Sequence, residues 1–388
     1  MLLGKELDYV EKGYISIEDG SIKIAAAGSY KGSGKMLDAK GFLVMPGFIN
    51  AHTHIADSIG KDVATGHTLD ARVHPVFGAK KKILQKSRPE HLKAFIRNSA
   101  ISMMKKGVVV FADFREDGPE GVRLLKEAIA GLPLKCVTLG RTNYYSNPKD
   151  AAGLSHEAIE QVKRVLEMAD GLGISGANEN TDIALLQYRK LAGKKLVAVH
   201  AAESKETGEY SKAQTGRSEV DRLMDCLKPD FVVHMTNATE DEISLVAKSG
   251  IGIVVCPRAN GVLGAGMPRV VLMLRQGCLV AIGTDNVMLN SPDFLRELDH
   301  LWKASRATEG EMIEPRQLLK MATVNAAQIL RLNSGCIEAG RSADLIFIDK
   351  KHVDLYPMHD PYAAVVHRLS QSSIRAVMIE GRFVEALN

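Results

Sequence analysis

Phe42-Leu43-Val44-Met45-Pro46-Gly47-Phe48-Ile49 is an apolar run that leads directly into Asn50-Ala51-His52-Thr53-His54. Continuous hydrophobicity of this kind is what a strand buried on both faces requires, and such strands belong to parallel sheets covered by helices. His52 and His54 stand two apart, and residues i and i+2 of an extended chain project to one side. Both imidazoles can therefore face one ion from the end of one strand. A single H-x-H pair is weak evidence, so the reading depends on what recurs further along.

Seven more apolar runs follow, at 108–114, 134–139, 171–175, 196–199, 231–233, 251–255 and 279–282. Stretches of helical period separate most of them, at 88–105, 120–130, 156–169, 181–191, 219–227 and 240–248. Eight strand–helix units in this order predict a (β/α)8 TIM barrel, an α/β fold, over 46–335. The fourth run, Gly171-Leu172-Gly173-Ile174-Ser175, is rich in glycine and is the weakest of the eight.

The two ends have a different texture. Tyr14–Ile17 and Ser21–Ile24 flank Glu18-Asp19-Gly20, a hairpin signal, and 374–380 and 383–384 flank Gly381-Arg382 in the same way. Neither end can bury a sheet face alone. The expectation is a small composite β-sandwich made from 1–45 together with 336–388.

The chain has 388 residues, with Lys+Arg 50 against Asp+Glu 46, so the net charge of +4 is small for its length. No basic block lies next to aromatics, which excludes nucleic acid as an expected partner. The short run Lys80-Lys81-Lys82 reads as a solvated helix face. Five cysteines without metal-ligand or C-x-x-C spacing read as free thiols in a reducing compartment. No apolar run reaches membrane-spanning length, and MLLGKELDYVEKG carries charges where a signal peptide needs its apolar core. The expectation is a cytoplasmic protein with no membrane partner.

In such a barrel the chemistry belongs at the C-terminal ends of the strands. Those ends carry His52 and His54, then His200-Ala201-Ala202-Glu203, His234, and Thr284-Asp285-Asn286. Each taken singly has an ordinary explanation, a core histidine or a helix cap, but their joint occurrence at strand ends does not. Three imidazoles (His52, His54, His200) and one carboxylate (Asp285) suit a single divalent ion, zinc first, iron(II) or manganese after it. Glu203 lies three residues past His200, on the substrate side of the ion, and His234 approaches from the neighbouring strand.

The string Val44-Met45-Pro46-Gly47-Phe48-Ile49-Asn50-Ala51-His52-Thr53-His54 resembles the opening motif of the amidohydrolase superfamily. His200-Ala-Ala-Glu203, His234, Cys256-Pro257-Arg258-Ala259-Asn260 and Gly283-Thr284-Asp285 are similar to its triazine hydrolase and nucleobase-deaminase branch, as is Arg341-Ser342-Ala343-Asp344-Leu345 near the end. The resemblance implies a mononuclear site, because the fourth strand offers no bridging lysine, and Glu179 beyond it reads as a solvated loop residue. It also implies assembly into homo-oligomers.

The mechanism expected is attack of an activated water on an sp² carbon. Asp285 takes the proton from the water, Glu203 protonates a ring nitrogen and then the leaving amine, and His234 stabilises the tetrahedral adduct. Arg115, Arg141, Asn178, Arg258 and Asn260, each just beyond a strand, are candidate substrate contacts, and His67 and His74 candidate parts of a lid. Three readings remain open. The first is deamination of a small heterocycle of purine, pyrimidine or pterin type. The second is hydrolysis of a cyclic amide, halide or thioether on the same ion, and the third is a barrel kept as a non-catalytic scaffold.

Overall fold

A computed structural model describes residues 1–63, 65–74 and 78–384. Its centre is a ring of parallel strands in chain order: Phe48–His54, Val108–Arg115, Lys135–Gly140, Gly171–Ile174, Leu196–Ala201, Phe231–His234, Gly252–Val255 and Val280–Ile282. The eighth strand resumes after Gly283-Thr284 as Asp285–Asn286, which pairs with the first through Asp285↔Thr53 and Asn286↔His54. That pairing closes the (β/α)8 barrel predicted from the apolar runs.

The helices between them follow the predicted periods: Pro89–Met104, Gly118–Ile129, His156–Met168, Asp182–Ala192 and Glu240–Ser249. Their starts are chemically marked. Ser155 and Thr181 accept from the backbone N–H three residues on, and Thr239 forms a reciprocal box with Glu242. The fifth predicted helix, over 219–227, begins as Glu219–Arg222 and passes into a wider π-turn over Leu223–Leu227.

The opening apolar run is two strands, not one. Phe42–Pro46 pairs antiparallel with Leu345–Asp349, outside the barrel. Pro46 has no N–H with which to extend a ladder. Gly47 N–H still follows the register by donating to the Asp344 carbonyl, and Phe48 N–H then leaves that sheet for the carbonyl of Gly107. The chain thereby crosses from the small sheet into the barrel, and His52 and His54 come to lie within the first barrel strand.

The chain ends form the small β-unit. Strands Arg382–Phe383, Ile374–Ile379, Leu345–Asp349 and Phe42–Pro46 make one sheet, and Gly13–Glu18 with Ser21–Ala27 a hairpin. Ile22, Val44, Leu345, Phe347 and Met378 share a hydrophobic core there, separate from that of the barrel. Helix Pro361–Arg368 leaves this unit and packs on Phe294–Glu309 and Pro315–Met321. All five cysteines are free. No helix among the described residues is long and apolar enough to cross a membrane.

The glycines of the fourth strand have a steric cause. A Cβ on Gly171 would meet the Leu196 carbonyl oxygen at 2.1 Å, and one on Gly173 would lie 2.8 Å from the Phe114 ring and 2.9 Å from the Leu139 oxygen. Phe114 in turn lies edge-on to His52, with centroids 4.4 Å apart. Gly173→Val is therefore expected to destabilise the fold by about 1–3 kcal/mol, the usual scale of overpacking. The check is a urea unfolding midpoint lowered at unchanged slope.

Candidate metal centre

The strand ends bring the predicted ligands together. His52 Nε2 lies 3.2 Å from Asp285 Oδ1, His54 Nε2 lies 3.6 Å from the same oxygen, and His54 Nε2 lies 3.3 Å from His200 Nε2. His234 joins from the sixth strand, its ring stacked 5.4 Å from that of His200. Donor atoms of His52, His54 and His200 all lie within 4.8 Å of one another, as do those of His52, His234 and Asp285. Ala202, His234 and Asp285 take positive φ values of 47°, 78° and 57°. Left-handed backbone costs such residues energy, and it turns the chain inward at three of the strand ends that carry this chemistry.

The hydrogen bonds test whether a cation fits. His200 Nδ1 is 2.9 Å from the Ser175 carbonyl oxygen, and His54 Nδ1 is 3.1 Å from Glu116 Oε1. Both partners are acceptors, so each ring carries its proton on Nδ1 and directs an Nε2 lone pair at the other. Two facing lone pairs with a carboxylate oxygen beside them repel unless a positive charge lies among them. Burial, reinforced by the neighbouring imidazoles, pushes His52 down to about 3 and His200 well below its usual value. Neutral imidazole is the ligating form. Burial acting alone would raise the Asp285 carboxyl, but its hydrogen bond with His52 and the nearby histidines hold it well below the ordinary range. The donor set fits one divalent ion.

A second group of donors is already occupied. Asp57, Glu116 and His54 also approach within 4.8 Å, but the Lys80 ammonium lies there, 2.8 Å from Asp57 Oδ2 and 2.6 Å from Glu116 Oε1. This corrects the expectation for Lys80. It is 7% exposed and lines the cavity, whereas Lys82 faces solvent.

Most of the residues that line the cavity beside the donors are polar or charged. Glu203 is on its wall, with Oε1 3.6 Å from His234 Nε2 and its carboxyl raised by burial. Glu179, expected in solvent, turns inward instead and also lines the cavity, with Oε2 buried and without a hydrogen-bond partner. The cause is Arg222, fully buried, whose guanidinium donates to the carbonyls of Ala177 and Asn180 and folds that loop over. Glu219 stands behind it, pushed up to about 7 by burial and then by Glu179.

Of the candidate substrate contacts, Arg141, Asn178 and His74 line this cavity. Arg115 does not: it is 2% exposed and donates to Glu116, with Asp113 alongside. Arg258 faces a separate groove and is held by Glu297 and the Ser291 and Asp293 carbonyls. Asn260 sits beneath the site with Nδ2 3.1 Å from His234 Nδ1, and His67 is exposed away from the cavity lining. An arginine just past a strand meets the carboxylates and carbonyls of its own layer as readily as a substrate, as Arg115 and Arg258 do.

Comparison with known proteins adds four results. The sequence profile of the Amidohydrolase family matches residues 43–384. A Methanothermobacter thermautotrophicus protein, provisionally named an aminohydrolase, is 37% identical over 388 residues, covering 99% of this chain and 97% of its own. A 5-methylthioadenosine/S-adenosylhomocysteine deaminase from Halobacterium salinarum is 28% identical over 391 residues, covering 96% and 88%. Among solved structures, the zinc complex of atrazine chlorohydrolase TrzN from Arthrobacter aurescens superposes with a TM-score of 0.85 at 19% identity, over 98% of this chain and 92% of that one. The fold, the facing imidazoles at the barrel mouth and a family profile spanning both lead to one conclusion: the chain belongs to the amidohydrolase family and is a metal-dependent hydrolase of that family.

Proposed function

We propose that the enzyme is an aminohydrolase that replaces the exocyclic amino group of a small nitrogen heterocycle by oxygen and releases ammonia. The observation that carries this reading is Glu203. It is a carboxyl on the cavity wall whose affinity for a proton is raised by burial, and it stands beside His234 at the ligand cluster. An amine is a poor leaving group unless protonated, and Glu203 is placed to supply that proton.

His52, His54, His200 and Asp285 are the residues proposed to hold the ion, with zinc the best match to three imidazoles and one carboxylate. When bound, it would lower the pKa of water toward neutrality and polarise the carbon under attack. Asp285, ionised in its buried setting, accepts the proton of the attacking water. Glu203 gives its proton to a ring nitrogen, takes the remaining proton from the adduct's hydroxyl and passes it to the departing amine, and is reprotonated by the proton held on Asp285. His234 takes a hydrogen bond from Asn260 at Nδ1, so its Nε2–H points toward the reacting centre and steadies negative charge there. Arg141, Asn178 and Glu179 are proposed to hold the ring's polar edge. The Halobacterium relative, whose name is that of a deaminase, supports the reading.

The test is a panel of amino-purines, amino-pyrimidines and pterins, with chloro and methylthio analogues of each. Ammonia released in step with substrate loss is the expected result. Turnover confined to the chloro or methylthio compounds would overturn the aminohydrolase reading in favour of halide or thioether hydrolysis.

A further inference from the structure

Glu116 carries an unusual load. Its Oε1 lies 3.1 Å from His54 Nδ1, 2.6 Å from Lys80 Nζ and 2.8 Å from an Arg141 terminal nitrogen, and its Oε2 accepts from Arg115 at 2.9 Å. Lysine and arginine have donors only, so at these contacts Glu116 is an acceptor and stays ionised. A carboxylate that only accepts fixes the tautomer of the imidazole facing it. The proton of His54 must sit on Nδ1, which leaves the lone pair on Nε2. That Nε2 is the atom facing His200 and Asp285.

The two ligands compared, His200 and His54, are oriented differently. His200 donates Nδ1–H to a neutral backbone carbonyl, whereas His54 donates to an anion that three cations hold in place. A charged acceptor both orients the ring and raises the basicity of its ligating nitrogen. The local charges also balance: Asp57, Asp113 and Glu116 against Lys80, Arg115 and Arg141. Neutralising Glu116 would leave one excess positive charge beside a cation site.

We propose that Glu116 is a positioning residue for the metal centre, fixing the tautomer and direction of His54 through its Nδ1–H. This rests on the assignment of His54 as a ligand made under Proposed function.

The experiment is zinc competition against a chromophoric chelator on the purified full-length chain, with apo-protein unfolding temperatures measured in parallel. The parent should bind one ion per chain, and Glu116→Gln should raise the dissociation constant about 10- to 100-fold. Glu116→Asp keeps the charge for the three cations but withdraws it from His54 by one methylene, and should weaken binding as well. If Glu116→Gln does not fold, Glu116→Asp and nitrogen-15 histidine NMR of the zinc-loaded parent decide, since His54 should appear as the Nδ1–H tautomer. A parent that binds no zinc would defeat the ligand assignment itself. A parent with one ion and variants binding within threefold of it, even with a lowered unfolding temperature, would overturn the positioning role alone. So would His54 found as the Nε2–H tautomer.

Discussion

Glu203→Gln will keep the bound ion and lose at least about 10²-fold in turnover, the scale of a positioned acid or base. Glutamine preserves the size and polarity of the side chain but has no proton to give a leaving amine. Glu203 is outside the ligand set and meets the cluster through His234 Nε2 at 3.6 Å, so metal content should not change. The pH profile supplies a further sign. Burial raises the Glu203 carboxyl, and the acid works only while protonated, so turnover should fall as pH rises through that raised value. The variant should lose that limb of the profile. Metal analysis and steady-state rates on one preparation check both, and a near-normal rate would place the proton transfer elsewhere.

His200→Ala and Asp285→Asn should each lower bound metal well below one ion per chain. His200 directs its Nε2 lone pair at that of His54 across 3.3 Å, so removing it takes away one of the donors that the ion brings together. Asp285 is the carboxylate within reach of both His52 and His54, and an amide there offers a neutral, weaker donor. Metal content by elemental analysis after dialysis decides the matter. Either variant retaining full occupancy would remove that residue from the ligand set.

The sequence located the metal centre because its residues sit at the one kind of position that pattern alone identifies, the end of a buried strand. His52, His54, His200, His234 and Asp285 could be placed from the apolar runs preceding them. Lys80 could not. Three consecutive lysines on a short helix give no register, and which of them faces inward depends on how helix Ala79–Lys86 docks over Asp57 and Glu116. Glu179 was misread for a similar reason, since its direction is imposed by Arg222, distant in sequence. The fourth strand read as weak because glycine is a poor strand former, yet its glycines make room for Leu196 and Phe114. Pro46 was a legible boundary within the opening run, and only the pairing of Phe42–Pro46 with Leu345–Asp349 gave it its meaning.

Asp285 and Thr53 are hydrogen-bonded ladder neighbours contributed by the last and first staves of the barrel, and Asp285 touches His52 from 233 positions away. A chain whose last strand has not yet paired with the first therefore lacks the carboxylate of the chelate, and is a weaker trap for any ion. Capture of the ion should coincide with the ring snapping shut, so that the bound ion acts as a clasp across the join. Stripping it with a chelator should loosen that join before any other part of the barrel, with amide exchange rising first along 48–54 and 280–286.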